Sequence, residues 1–309
     1  MSWGIPQGGI RVLQHMKTLA LIPVLLALAA SGAIAAEQPP AKLVYTAGSG
    51  KAARGYVVRE DGTEKRRISD SRHSESQLVY SPDGKRIAFS SIRGSKQHVY
   101  VMNSNGTGVR RLTANPAPAF QPAWSPDGRR IAFVSLRPNF EILVINVDGS
   151  GERLLTPGPK WVADSSPSWS PDGRWIAFAS NRLKDGNPEI FKMRPDGSRV
   201  TRLTFTDTPG EISPDDGFPT WSPDGRSILF SSNRADNQHD LWMTRADGKN
   251  PRRITKTPRF DDWMAKWSPN GQRIAFWAIG PGVDHIYTVK TDGSELRQVT
   301  RGSSPEWHR

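Results

Sequence analysis

WSPDGRRIAFVS, residues 124–135, decides the fold because variants of it return along the chain. Its leading aromatic recurs as Tyr80, Trp124, Trp169, Trp221 and Trp267. Its Ile-Ala-Phe element begins at Ile87, Ile131, Ile176, Ile228 (as Ile-Leu-Phe) and Ile274, and Leu43-Val44-Tyr45 reads as a sixth copy. Working outward, a turn pair follows each copy: Asp61-Gly62, Asn105-Gly106, Asp148-Gly149, Asp196-Gly197, Asp247-Gly248 and Asp292-Gly293. A short apolar-hydroxyl signature ends each: Ile68-Ser69, Leu112-Thr113, Leu155-Thr156, Leu203-Thr204, Ile254-Thr255 and Val299-Thr300. The internal period is 43 to 52 residues.

Each copy decodes into four strands. The first ends at the aromatic. Ser-Pro-Asp-Gly then fits a type I turn, with Pro fixing φ at the second position and Gly at the fourth. Ile-Ala-Phe-x-Ser alternates with period two, as a strand does. A third strand follows, such as 141–146, then a hairpin at Asp-Gly, then a fourth strand ending at Leu-Thr. Four strands in roughly 40–50 residues make one propeller blade. No segment keeps a helical period. The expected fold is all-β: a six-bladed β-propeller of four-stranded antiparallel blades. The first copy, 43–69, lacks a first strand, whereas the chain ends on Ser303-Ser-Pro-Glu-Trp-His-Arg309. Pro305-x-Trp307 matches Pro122-x-Trp124, Pro167-x-Trp169 and Pro219-x-Trp221. The carboxy-terminal strand is therefore expected to pair with 43–48 in the amino-terminal blade, closing the ring and covering a sheet edge.

The run W-S-P-D-G-x-x-I-A-F, then D-G-S and a closing L-T, resembles the repeat of TolB-type propellers, over about 43–309. TolB is the periplasmic component of the Tol–Pal envelope system, and it carries an additional amino-terminal α/β domain. Here only a few residues separate the cleavage signal at Ala33-Ile34-Ala35 from the first strand, so the chain is TolB-like rather than an evident TolB. Similar repeats occur in propellers attached to serine peptidases and in oligogalacturonate lyases. The resemblance implies a binding module of the cell envelope.

The amino terminus points the same way. In MKTLALIPVLLALAASGAIAA (16–36), Lys17 precedes an apolar run from Leu19 to Ala30, and Ala33-Ile34-Ala35 is an A-x-A cleavage signal. An uncleaved anchor is the alternative, since the run approaches the roughly 20 apolar residues that span a bilayer. The expected organisation is a signal peptide at 1–36 (with Met16 an alternative start), a linker at 37–42 and the propeller at 43–309. That places the chain in the periplasm or outside the cell, as a monomer with no membrane span after cleavage. Residues 1–36 hold two of the 42 basic residues, Arg11 and Lys17, and none of the 30 acidic ones. The remainder stays strongly basic. Export argues against nucleic acid as the reason and suits an anionic envelope surface. There are no cysteines, hence no disulfide, thiol nucleophile or lipidated cysteine.

Function is expected where loops are long and varied. The loops after Leu-Thr and those between second and third strands share one end of the ring. They carry arginines after the second strand (Arg93, Arg137, Arg182, Arg234) and acids five residues before the blade aromatic (Glu75, Asp164, Asp216, Asp262). Aromatics accompany them: Phe120, Trp161, Phe218 and Trp263. One reading is a polar mouth with aromatic anchors for a protein, a peptide or a sugar. The structural reading is that the arginines and acids pair between loops and the rings cap blades. The 205–218 loop is the longest insertion, and its Asp207, Glu211, Asp215 and Asp216 offer oxygen ligands for a hard cation, although the spacing is no EF-hand and a solvated acidic loop is the plainer reading. The opposite end and the outer strands are basic, as in Arg129, Arg130, Arg153 and Arg174; charged edges discourage sheet pairing. No Gly-x-Ser-x-Gly, His-Glu-x-x-His or phosphate loop occurs. His98, His239 and His285 fall in different blades, so no shared metal is expected. The chain thus reads as a protein- or peptide-binding platform with no catalytic residues, metal or cofactor. The alternative is a carbohydrate-binding or lyase-like propeller using the same mouth.

Overall fold

The computed structural model describes residues 41–70, 72–183, 186–205, 214–282 and 284–308. Among these, 24 strands gather into six antiparallel sheets of four, with one 3-10 turn at Gly50–Ala52. The sheets are the blades of a propeller. Blade 1 combines Ser303–Trp307 with Lys42–Ala47, Arg54–Arg59 and Arg66–Arg67. Blades 2 to 6 follow in chain order at 74–111, 119–154, 164–202, 216–253 and 261–301. In each, the first strand lines the central channel and the fourth is outermost.

The repeat motifs explain this build. In the Ser-Pro-Asp-Gly turn of blade 3, Gly128 donates to the Ser125 carbonyl at 2.9 Å, and Ser125 Oγ donates to Asp127 at 2.5 Å. The amides of Arg129 and Arg130 then donate to Asp127 and to Ser125 Oγ. Gly128 has φ of 66°, a left-handed conformation that a side chain would strain. The closing Thr has a defined task as well. Thr113, Thr156, Thr204 and Thr255 each accept, through Oγ1, the third-strand amide of Val99, Ile142, Ile190 or Leu241 at 2.9–3.2 Å. Ser69 does so for Gly55. A hydroxyl here satisfies a buried amide that the two-residue fourth strand cannot reach.

The core lies between blades. Phe89, Phe133, Phe178, Phe230 and Phe276 of the second strands are fully buried. The blade tryptophans reach across to the preceding blade: Trp124 Nε1 donates to the Val79 carbonyl at 3.1 Å, and Trp267 Nε1 to that of Thr220 at 3.3 Å. Closure works the same way. Leu43 pairs with Trp307, Val44 with Glu306 and Thr46 with Ser303. Trp307 is buried among Leu43, Tyr45, Val58, Ala275 and Ile286, with Nε1 donating to the Lys266 carbonyl at 3.0 Å. The ring is thus shut by the last strand of the chain, as its sequence anticipates.

Candidate functional site

Every first strand carries a bulge three residues before its aromatic, and the residue there has positive φ: Gln77, Gln121, Ser166, Phe218, Met264 and Ser304, all at 50–54°. None is glycine, so six strained positions face one narrow cavity of about 70 Å³ along the axis. Part of the strain is offset by bonds between blades. Gln77 Oε1 accepts the Gln121 amide at 2.9 Å, and Gln121 Oε1 accepts that of Ser166 at 2.8 Å. Continuing round the ring, Phe218 and Met264 make the wall apolar, while Ser166 Oγ is buried without a partner. Sequence reading missed this ring because the bulge is set by position and its residue type varies.

The charged candidates form a regular internal network. Arg93 meets Glu75 at 3.0 Å, Arg182 meets Asp164 at 2.9 Å and Arg234 meets Asp216 at 2.5 Å. In each pair the partners stand 18 residues apart within one blade. The guanidinium also stacks on second- and third-strand rings: Arg93 on Phe89 and Tyr100, Arg182 on Phe178 and Phe191, Arg234 on Phe230 and Trp242. The acids are almost wholly buried. Burial pushes the Glu75 carboxyl up to about 7 although Arg93 pulls it down, and it raises Asp216 similarly against Arg234. Blade 3 has Ala119 at the acid position, and Arg137 pairs with Glu152 instead. The pairing therefore joins the start of a blade's first strand to the turn after its own second strand.

Blade 6 breaks the pattern. The position matching those arginines is Gly280, and a side chain there would meet the Phe260 ring at 2.4 Å. Phe260 rests on Tyr287, 6.0 Å between centroids, where other blades stack a guanidinium. Asp262 is fully buried, and no cation pairs with it among the described residues. Its Oδ2 accepts from Thr255 at 2.6 Å and Thr257 at 2.8 Å, and Oδ1 has no partner. Burial pushes its carboxyl up to about 7; the two threonine bonds pull the other way, and Asp240 and Asp261 add to the rise.

The aromatics divide. Phe120, Phe218 and Trp263 lie on first strands rather than in loops. Trp263 is half-buried, edge-on to Phe218 at 5.4 Å and 3.9 Å from the His239 ring. Trp161 sits in the 157–163 loop and is 59% exposed. That loop is tied to the adjacent 137–139 turn, where Asn139 Nδ2 donates to the Val162 carbonyl at 2.5 Å. Leu136 and Phe140, which flank the turn, are exposed too, and Phe140 meets Phe120 edge-on at 5.6 Å. Of the 205–218 loop, 206–213 fall outside the described residues, and with them Asp207 and Glu211. Asp216 is committed to Arg234. His98 contacts Arg111 at 3.1 Å, well away from His239 and its Trp263 partner. Among the described residues no three His, Cys, Asp or Glu side chains stand close enough to share a metal, and no helix is long and apolar enough to cross a membrane. The signal peptide expected at 1–36 lies outside the described residues.

Comparison with known proteins agrees with this architecture. The family model described as TolB beta propeller domain matches residues 37–160 and 115–218. An uncharacterized protein of Agrobacterium fabrum is 38% identical over 104 residues, 33% of each chain. The Tol-Pal system protein TolB of Anaeromyxobacter dehalogenans is 38% identical over 93 residues, 29% of this chain and 21% of that one. The matches thus span a third or less of these relatives' lengths. Among solved structures, TolB of Acinetobacter baumannii superposes with a TM-score of 0.72 at 20% identity, covering 87% of this chain and 66% of that one. A putative TolB of Agrobacterium tumefaciens gives 0.67 at 21%, covering 86% and 91%. Oligogalacturonate lyase of Vibrio parahaemolyticus gives 0.53 at 14%, covering 85% and 74%. At these identities the superpositions speak for the fold alone, whereas the sequence match spans more than half the chain: it belongs to the TolB β-propeller family.

Proposed function

We propose that this protein is an exported, non-catalytic binding platform of the cell envelope, engaging a protein or peptide at the loop-rich end of the ring. One observation carries the reading. The Arg93, Arg182 and Arg234 guanidiniums at that end are engaged by carboxylates within their own blades, while Leu136, Phe140 and Trp161 stay exposed on two loops tied together by Asn139. Apolar side chains held in place cost little entropy to dock, and an apolar centre with a polar rim is the usual anatomy of an interface. Trp263, Phe218 and His239 form a separate half-buried aromatic cluster on blades 5 and 6. Likeness to a Tol-Pal system protein supports an envelope setting, as does the A-x-A signal before residue 36.

The test is capture from envelope extract on the immobilised protein, beside a glycan array. A protein or peptide partner whose affinity falls about 5- to 150-fold on Trp161→Ala, an interface-anchor loss of about 1–3 kcal/mol, supports the reading. Glycan binding with no protein partner would favour the carbohydrate alternative. Turnover of oligogalacturonate would remove the non-catalytic assignment.

A further inference from the structure

The opposite end of the ring carries a separate feature. Arg130, Arg153, Arg174, Arg194 and Arg199, contributed by blades 3 and 4, surround an open basin of about 430 Å³. None of the five forms an ion pair with a carboxylate among the described residues. The acids nearby, with Asp196 in the basin wall, are hydrogen-bonded within their own turns and attract Arg130, Arg153 and Arg174 without closing an ion pair. Asp127 and Asp172 each accept a serine hydroxyl and a backbone amide, and Asp196 accepts both from Ser198. Three of the arginines are held in place. Arg130 stacks on Trp169 at 5.0 Å, and Arg194 on Trp175 at 4.2 Å. Arg153 is anchored through Nη2 to the Pro195 carbonyl at 2.8 Å.

The repeat supplies the control. Arg199 has φ of 53° in the turn between third and fourth strands, and the same turn position is Glu64 in blade 1 and Glu295 in blade 6, with φ of 51° and 52°. Both glutamates neutralise their basic surroundings. Glu64 engages Arg59 and Lys42, and Glu295 engages Arg273, Lys290 and Arg297. Blade 4 places an arginine at that position, so the charge is reversed where cations already converge. Edge protection needs charge on a strand, but it does not need five unpaired guanidiniums turned toward one basin. Like charges at close range destabilise unless an anion joins them.

We propose that this basin is a binding site for a phosphate-bearing anion. Guanidinium groups present forked donors that match phosphate oxygens, and stacked arginines lose less freedom on engaging them. The site is remote from the aromatic mouth, so it serves a second ligand and does not depend on the protein-binding reading.

The experiment is calorimetric titration of the full chain with inorganic pyrophosphate. In parallel, phosphatidylcholine vesicles are floated with the protein, with and without added phosphatidic acid. Arg199→Glu borrows the residue that blades 1 and 6 use there, so the fold is expected to hold; melting temperature checks this. Arg226→Glu, the same charge change in blade 5 outside the basin, is the comparison. Saturable binding in either arm that falls at least tenfold in Arg199→Glu and less than twofold in Arg226→Glu supports the site. The arm that responds tells whether a soluble anion or a lipid headgroup is taken. Equal losses in both variants would mean diffuse attraction to a basic surface, and absence of saturable binding in both arms would equally overturn the proposal.

Discussion

Asp262 gives the sharpest test of how the ring tolerates a broken repeat. Its counterparts Glu75, Asp164 and Asp216 each have an arginine 18 residues on. Asp262 has Gly280 and two threonine hydroxyls. The carboxyl moves from 3.8 to about 7. At ~1.36 kcal/mol per pH unit, that interval amounts to about 4 kcal/mol. The sign follows from proton counting. Between about pH 4 and pH 7 the folded chain holds a proton that the unfolded chain has released, so this group's contribution to stability falls as pH rises. Below the unfolded value both states are protonated and there is no penalty. Above the folded value the buried carboxylate is charged in both states and the full penalty applies. Asp262→Asn keeps an oxygen to accept from Thr255 and Thr257, and it removes the charge. Urea unfolding of both proteins at pH 5 and pH 8, followed by circular dichroism, isolates the group, because every other carboxylate is common to the pair. We expect the variant to gain about 2–4 kcal/mol on the parent between the two pH values. A difference that is flat with pH would refute the burial argument. If the variant loses ground at pH 8, Asp262 is charged and matched by a bound cation.

Three further outcomes follow from the same packing. Trp307→Ala should cost about 3–5 kcal/mol, since it strips the closing strand of its buried ring; deleting 303–309 should cost more, and an unchanged melting temperature in the deletion would rule out closure by this strand. Arg234→Ala should destabilise by about 3–5 kcal/mol by leaving Asp216 charged and unpaired, with most of the loss recovered in the double variant Asp216→Asn/Arg234→Ala; urea midpoints decide this. Trp161→Ala should leave the urea midpoint within about 0.5 kcal/mol of the parent, because the side chain is exposed; a large loss would show that the ring serves the fold and not a partner.

The blades were legible because each motif performs a local task that few residues can do. Ser, Asp and Gly build the 125–130 turn through their own hydrogen-bonding groups, and Thr156 caps an amide. Closure was legible because Pro305-x-Trp307 is a first-strand signature and the copy at 43–69 lacks a first strand of its own. The paired charges were visible as residue types, and the constant 18-residue step between Glu75 and Arg93, Asp164 and Arg182, Asp216 and Arg234 held the information needed to pair them. The strained channel ring was not visible. Gln, Ser, Phe and Met share no chemistry, and their positive φ is imposed by the bulge and its neighbours. Exposure was not legible for the same reason. Trp263 departs from the repeat just as Trp161 does, yet it fills space against Phe218 and His239 while Trp161 fills none.

A sixfold repeat makes its own exceptions informative. A position that repeats is explained by the blade, whatever else it does, so Arg182 or Asp127 says little about function. A position that departs must be tolerated by a ring whose other blades still hold it shut. Blade 6 gives up a guanidinium and keeps the acid that needed it, at a cost the Asp262 titration measures. Blade 4 carries Arg199 where blades 1 and 6 carry a neutralising glutamate, and it gains repulsion with no carboxylate in ion-pair contact among the described residues. The Arg199 change improves no packing and could be reversed by one residue already used in a sister blade, whereas in blade 6 the Phe260 ring fills the guanidinium's place against Tyr287. Physical cost retained against so available a repair is the signature of a contact made outside the chain. For Arg199 that contact is an anion at the basin. For Asp262, a few ångströms from the Thr257 and His239 side of the mouth, a charged carboxylate at pH 8 would place the partner's cationic group at the loop-rich end.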